Sequence, residues 1–199
     1  PESAAPVAAP DAAALVATLR RVPPARSVYS EVRFSDLLDR PLILHGELEY
    51  LGPGRLGKTV ERPYREQTRI ADGTASVQRD GRPARTFPLD QAPELEGFLR
   101  GFAALLGGDA QALARDFSLL AQGTAANWQL TMTPRDGRLA RRVRTIRVDG
   151  RGHTPLCFRT EEIDGDLDVL LVGALAAVKL TARPLPAQID ALCRGAGRS

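Results

Sequence analysis

The stretch Leu42-Ile-Leu-His-Gly46-Glu-Leu-Glu-Tyr50, followed by Gly52-Pro53-Gly54, decides how the chain is read. Leu42, Leu44, Leu48 and Tyr50 alternate with His45, Glu47 and Glu49, and a period of two places the first set on one face of a strand and the second on the other. The Gly-Pro-Gly sequence ends that strand in a turn. Upstream, Val28, Val32 and Phe34 alternate with polar neighbours before the turn residues Asp39-Arg40-Pro41. Downstream, Asp-Gly pairs recur at Asp72-Gly73, Asp80-Gly81, Asp136-Gly137, Asp149-Gly150 and Asp164-Gly165. Both residue types tolerate positive φ, so each pair signals a hairpin. Strand patterns resume over residues 128–133, 141–148, 154–162 and 167–179.

Four segments follow a different period. Asp11 is an N-cap for a helix to about residue 21, with Leu15, Val16, Leu19 and Val22 at helical spacing and Pro23-Pro24 stopping it. In mid-chain, Leu95, Phe98, Leu99, Phe102, Leu105 and Leu106 form an i, i+3, i+4 stripe closed by Gly107-Gly108. Asp109 then caps a further helix carrying Leu113 and Phe117, and residues 189–193 after Pro184-Leu185-Pro186 predict a short final one. No βαβ alternation appears. The expected fold is α+β: a curved antiparallel sheet forming an incomplete, unclosed β-barrel, with helices as a lid on its concave face. The predicted layout is a disordered lead-in over residues 1–10, a single domain over 11–194 and a flexible tail over 195–199.

A chain of 199 residues, 43% hydrophobic and 26% charged, supports one full core. A formal charge of +3 does not demand nucleic acid, and the cluster Arg138, Arg141, Arg142, Arg144 and Arg147 has no interleaved aromatic to stack bases. It reads as an exposed sheet edge, where charge deters strand pairing. The longest apolar stretch, residues 169–178, is shorter than the ~20 residues a bilayer crossing needs, so no transmembrane segment is expected. The chain opens Pro1-Glu-Ser without Met, which fits either a trimmed cytosolic protein or one whose signal peptide has been removed.

Chemistry-bearing patterns are sparse. Nucleophile elbow, phosphate loop, dinucleotide fingerprint and zinc-helix motifs are all missing from the sequence. His45, on the polar side of its strand, and His153, after a turn glycine, read as exposed residues with no catalytic role. The acidic run Glu161, Glu162, Asp164, Asp166 and Asp168 lacks calcium-loop spacing and reads as a solvated hairpin. No catalytic residue, metal site or cofactor is expected. Cys157 and Cys193 fit either a disulfide tying the final helix to the sheet or two free thiols.

What remains is shape. Leu42, Leu44, Leu48, Tyr50, Ile70, Trp128 and Leu130 on the sheet, with Leu95, Phe98, Leu99 and Phe102 on the helix above, would line an apolar groove and its lid. The competing reading is a structural or interaction domain with a solid core and an arginine-rich partner-binding edge. A lipid hydrolase using His45 or His153 ranks third.

The segment Gly46-Glu-Leu-Glu-Tyr-Leu-Gly-Pro53-Gly-Arg-Leu56, with Pro63 ten positions after Pro53 and Asp72-Gly73 beyond it, resembles the signature stretch of the outer-membrane lipoprotein carrier family, the LolA-like proteins of Gram-negative periplasms. Ser27-Val-Tyr after the first helix, the helical insert, Trp128-Gln-Leu-Thr-Met-Thr-Pro134 and Ile146-Arg-Val-Asp-Gly150 follow that family's order over roughly residues 11–168. The resemblance implies a periplasmic, non-catalytic monomer. It would take a lipid or acylated cargo from an inner-membrane donor to an outer-membrane acceptor. Gly52 stands where the family usually has Arg, and Lys58 where an aromatic often follows. In these departures the chain looks like a divergent branch associated with aryl-polyene-type lipids.

Overall fold

The structure, a computed structural model, describes residues 10–195. Apart from Pro10 and Gly195, the expected lead-in and tail lie outside that range. The chain begins with helix α1 (Ala12–Thr18), then strands β1 (Ala25–Phe34), β2 (Leu42–Gly52), β3 (Arg55–Arg62), β4 (Glu66–Ala71), β5 (Thr74–Arg79) and β6 (Arg85–Pro88). Helices α2 (Pro93–Gly107) and α3 (Ala110–Asp116) follow, and then β7 (Phe117–Thr124), β8 (Asn127–Pro134), a short α4 (Gly137–Ala140), β9 (Val143–Arg151), β10 (Thr154–Glu162), β11 (Leu167–Val172) and α5 (Pro186–Arg194).

Local chemistry explains many of these boundaries. The Asp11 carboxylate accepts from Ala14 N at 3.1 Å and that of Asp109 from Ala112 N at 2.9 Å, so both expected caps start helices. Asp72 and Gly73 both take positive φ, 51° and 72°, closing the two-residue β4–β5 hairpin that their sequence announced. Gly108, at φ 68°, caps α2 in the left-handed region.

All described strands join one antiparallel sheet in the order β6-β5-β4-β3-β2-β1-β11-β10-β9-β8-β7. Its end strands β6 and β7 do not pair, so the sheet is unclosed. One face carries Tyr29, Leu44, Val60, Leu130, Val148, Phe158 and Val172 against Leu15 and Val16 of α1, Leu19 at its C-cap, Leu105 of α2, Leu113 of α3 and Leu139 of α4. The opposite face carries Val32, Cys157, Val169 and Leu171 against Ile189 and Cys193 of α5. Phe102 of α2 reports the curvature. It packs beside Tyr50, Leu56 and Ile70 of β2–β4, and its ring centroid also lies 5.0 Å from that of Phe158 in β10. Strands β3 and β10 stand four places apart, about 19 Å in a flat sheet. One side chain reaches both because the sheet wraps around α2.

Several expectations need correction. The strand expected over 167–179 ends at Val172, because Gly173 at φ 58° turns the chain into a 3-10 helix, Gly173–Ala177. Phe117 begins β7 instead of extending α3, its ring wholly buried where Gly101 of α2 leaves room. Asp136-Gly137 makes no hairpin: the Asp136 side chain accepts from Arg138 N at 2.6 Å and starts α4. Asp149-Gly150 stays within β9, with the turn displaced to Gly152-His153. The arginine cluster is not a sheet edge, since β9 lies between β8 and β10, and Arg147 is paired with Asp149 and Asp190. The final helix belongs to the convex face, so the lid consists of α1–α4 alone.

Candidate functional site

The concave face gathers most of the residues that the alternation picked out. Leu44, Trp128 and Leu130 are buried in its main apolar cluster, with Leu42 and Leu48 packed against it. Tyr50 and Ile70 belong to an adjoining cluster with Leu56, Ala75 and Leu89, which Leu99, Phe102 and Leu106 of α2 cover. Phe102 touches both clusters. The side chains of Leu95 and Phe98 lie outside the described residues. Trp128 is further fixed by its indole N–H, which donates to Gly152 O at 2.7 Å.

Helix α2 lies over this face on an unusual footing. Gly97 and Gly101 both sit in its interior and face inward, a Cβ on Gly101 falling 2.3 Å from the Phe117 ring. Each costs roughly 1 kcal/mol of helix propensity relative to Ala. The helix therefore depends on what its apolar side chains touch, and Leu99, Phe102 and Leu106 are only partly buried. Gly107 and Gly108 terminate it.

At one end of the concave face stands a charged group that the sequence did not announce. Glu31 of β1 is 1% exposed. Arg33 Nε donates to its Oε1 at 2.6 Å, Lys58 of β3 hydrogen-bonds its Oε2, and Asp168 of β11 lies 3.3 Å from Arg33 Nε. Lys58 Nζ also sits 5.2 Å from the centroid of the Tyr29 ring. The Tyr29 residue is 1% exposed and its hydroxyl has no hydrogen-bond partner among the described residues. Asp168, expected in a solvated hairpin, belongs instead to this cluster, because the register that pairs Arg33 with Asp168 brings the two side chains together.

The two carboxyl groups are driven apart. Burial and then the Glu31 carboxylate hold Asp168 well above the ordinary Asp range, whereas for Glu31 burial is outweighed by Lys58, the hydrogen bond from Asp168 and Arg33, which hold it low. Asp168 therefore keeps a proton that its unfolded counterpart releases, and shares it with Glu31. A raised acid weakens the fold as pH climbs from the ordinary Asp range through the raised value. Asp168→Asn is therefore expected to flatten the loss of unfolding free energy across that window, read by urea denaturation at stepped pH. An unchanged slope would contradict the shared proton.

On the convex face, the Ser30 hydroxyl donates to Ala176 O at 2.7 Å and lies 2.8 Å from His45 Nδ1. With its own proton engaged, Ser30 accepts from the imidazole. The pair thus pins β1, β2 and the 3-10 helix together, and the hydroxyl is not set up as a nucleophile. Burial, then Arg62, depresses the His45 pKa. His45 also lines a cavity of about 340 Å³ with Ile43, Arg62, Val178 and Lys179. His153 is exposed, its carbonyl accepting from Arg21. Cys157 and Cys193 form a disulfide, joining β10 to α5. No helix among the described residues is long and apolar enough to cross a membrane.

The sequence profile described as outer membrane lipoprotein carrier protein, LolA-like, matches residues 4–196. No curated protein sequence matches the chain. Among solved structures it is similar to a LolA superfamily protein from Nitrosomonas europaea, at 11% identity over 91% of this chain and 97% of that one, with a TM-score of 0.43. It is also similar to a DUF1329 family protein from Desulfovibrio piger, at 12% identity over 86% and 92% with a TM-score of 0.46. LprF from Mycobacterium bovis matches at 12% identity over 90% and 99% with a TM-score of 0.37.

Proposed function

From the premise that this chain belongs to the LolA-like outer membrane lipoprotein carrier family, we propose that it is a non-catalytic carrier that holds the acyl chains of a lipid or acylated amphiphile between the concave face of its sheet and helix α2. Its compartment would be the periplasm, reached after removal of a signal peptide, and its route would run from an inner-membrane donor to an outer-membrane acceptor. A disulfide between Cys157 and Cys193 fits an oxidising compartment of that kind.

The observation that carries the reading is how α2 is seated. Its glycine-weakened helix rests on the sheet through partly buried Leu99, Phe102 and Leu106 and ends at the left-handed Gly108. An acyl chain offers the sheet the same apolar contact as those side chains, so exchanging one for the other costs little and α2 can lift. The lining residues Leu42, Leu44, Leu48, Tyr50, Ile70, Trp128 and Leu130 then face the cargo, with Leu99 and Phe102 above it. A second reading, a solid-core interaction domain, draws on the full burial of Leu105, Leu113 and Phe117 beneath the helices.

Titrating the delipidated protein with an environment-sensitive acyl probe separates the two. A carrier gives saturable binding, and Phe102→Asp, which sets a charge between lid and sheet, weakens it at least roughly tenfold, since burying an unpaired charge costs more than the 1.4 kcal/mol this represents. A solid core gives no saturable signal with either protein.

A further inference from the structure

We propose that Arg33, Lys58 and the Tyr29 hydroxyl form a subsite for the anionic head group, a phosphate or a carboxylate, of the amphiphile carried on the concave face. The inference rests on the carrier reading above and specifies the cargo's polar end.

A surface built to hold hydrocarbon has no use for ions, and a buried carboxylate is unfavourable unless it is paired. Yet Glu31 is 1% exposed on that face, approached by Arg33 from its own strand and by Lys58 from β3, across Leu44 and Leu48 of β2. The two cations are not themselves sealed in. The Lys58 side chain is 29% exposed and that of Arg33 43%. Glu31 and Asp168 engage Arg33 through Nε and one terminal nitrogen, and Glu31 engages Lys58 once, so donors are left over on both cations, for an ammonium carries three N–H groups and a guanidinium five. Two cations face the Glu31–Asp168 pair, and burial together with the Glu31 carboxylate pushes Asp168 toward its neutral form, which tilts the cluster toward positive charge.

Tyr29 supplies the independent observation. Its hydroxyl is buried without a partner among the described residues, which native interiors seldom tolerate. Tyr29 shares the concave side of β1 with Glu31, two residues away, and its ring centroid lies 5.2 Å from Lys58 Nζ, so the phenol borders the cluster. An oxyanion placed against Arg33 and Lys58 would accept from that phenol and complete it. A quaternary ammonium would meet two like charges there, and an alcohol would bring no charge to engage them. The geometry therefore selects an anion whose acyl chain runs on over the neighbouring apolar clusters.

The test uses the intact, oxidised chain and a neutral fluorescent acyl probe. Dodecanoate, dodecyl phosphate, dodecanol and dodecyltrimethylammonium are compared as displacers. The two anions are expected to displace the probe at least about tenfold more tightly than dodecanol, charge-assisted hydrogen bonds being the stronger kind. The ratio between them tells a carboxylate from a phosphate source. Tyr29→Phe removes only the unpartnered oxygen, so the variant folds at no lower stability, and Lys58→Gln removes a cation while Arg33 still pairs Glu31. Each is expected to lose most of the anion preference while binding dodecanol as the parent does. Equal displacement by anions and dodecanol, or an intact anion preference in Tyr29→Phe, overturns the subsite and leaves the carrier standing. Absence of saturable probe binding overturns the carrier, and the subsite with it.

Discussion

Replacing Cys157 and Cys193 together by alanine is expected to lower the unfolding free energy by about 4 kcal/mol, the largest loss foreseen for any change outside the concave face. The bond closes a sequence separation of 36 residues. Chain-entropy arguments assign roughly 3 kcal/mol to a 15-residue loop and 4.7 to one of 100, and this loop falls between them. The packing around it argues for a local effect as well. Helix α5 has nine residues, too few to hold its shape alone, and it meets the sheet through Ile189, Cys193 and the ion pairs of Asp190 with Arg147 and Arg159. Urea denaturation of the variant beside the oxidised and the reduced parent measures the loss. Hydrogen exchange should show it concentrated in α5, and a fall below about 1 kcal/mol would mean that packing alone holds the helix.

Gly46→Ala is expected to cost about 3 kcal/mol, at the top of the usual range for overpacking. Its backbone is ordinary. The obstacle is space, because a Cβ would lie 1.8 Å from the carbonyl oxygen of Thr59 in β3 and 3.1 Å from the Tyr29 ring. A carbonyl held in a sheet ladder cannot step aside, so β2 and β3 must separate where the ladder is already irregular between His45 and Gly46. Gly54→Ala is the matched control. It sits at φ 68° with open space around it, so only the left-handed backbone penalises the change, by about 1–2 kcal/mol. Similar losses in the two variants, measured by chemical denaturation, would refute the steric account.

The sheet and its lid were legible because their periods are clean. Leu42, Leu44, Leu48 and Tyr50 do face one side, and the 95–106 stripe is a single helix. Strand β1 shows the limit of that pattern. Of Val28, Val32 and Phe34, which alternate with polar neighbours, Val32 and Phe34 do share an apolar face, but it is the convex one, while Tyr29 and Glu31 face the concave side with the lid. A strand buried on both faces carries no alternation that tells inside from outside. The charged cluster was hidden twice over. Glu31, Lys58 and Asp168 come from three strands that only sheet order brings together, and each alone reads as a solvated residue. The disulfide stayed undecided because nothing in the sequence says which face of the sheet α5 covers.

Sheet order also governs how the chain can assemble. Along β1 to β6 every strand pairs with its immediate successor, and the same holds from β7 to β11. Each half is thus a local meander that can zip up without waiting for the other. Among the strand pairings of the described residues, only the β1–β11 seam, matching Phe34 with Leu167 and Tyr29 with Val172, joins the two halves of the chain. Closing so long a loop is the step that contact-order arguments single out as slow. Folding speed should therefore answer to Val32, Val169 and Leu171 along that seam, and hardly at all to the hairpins on either side.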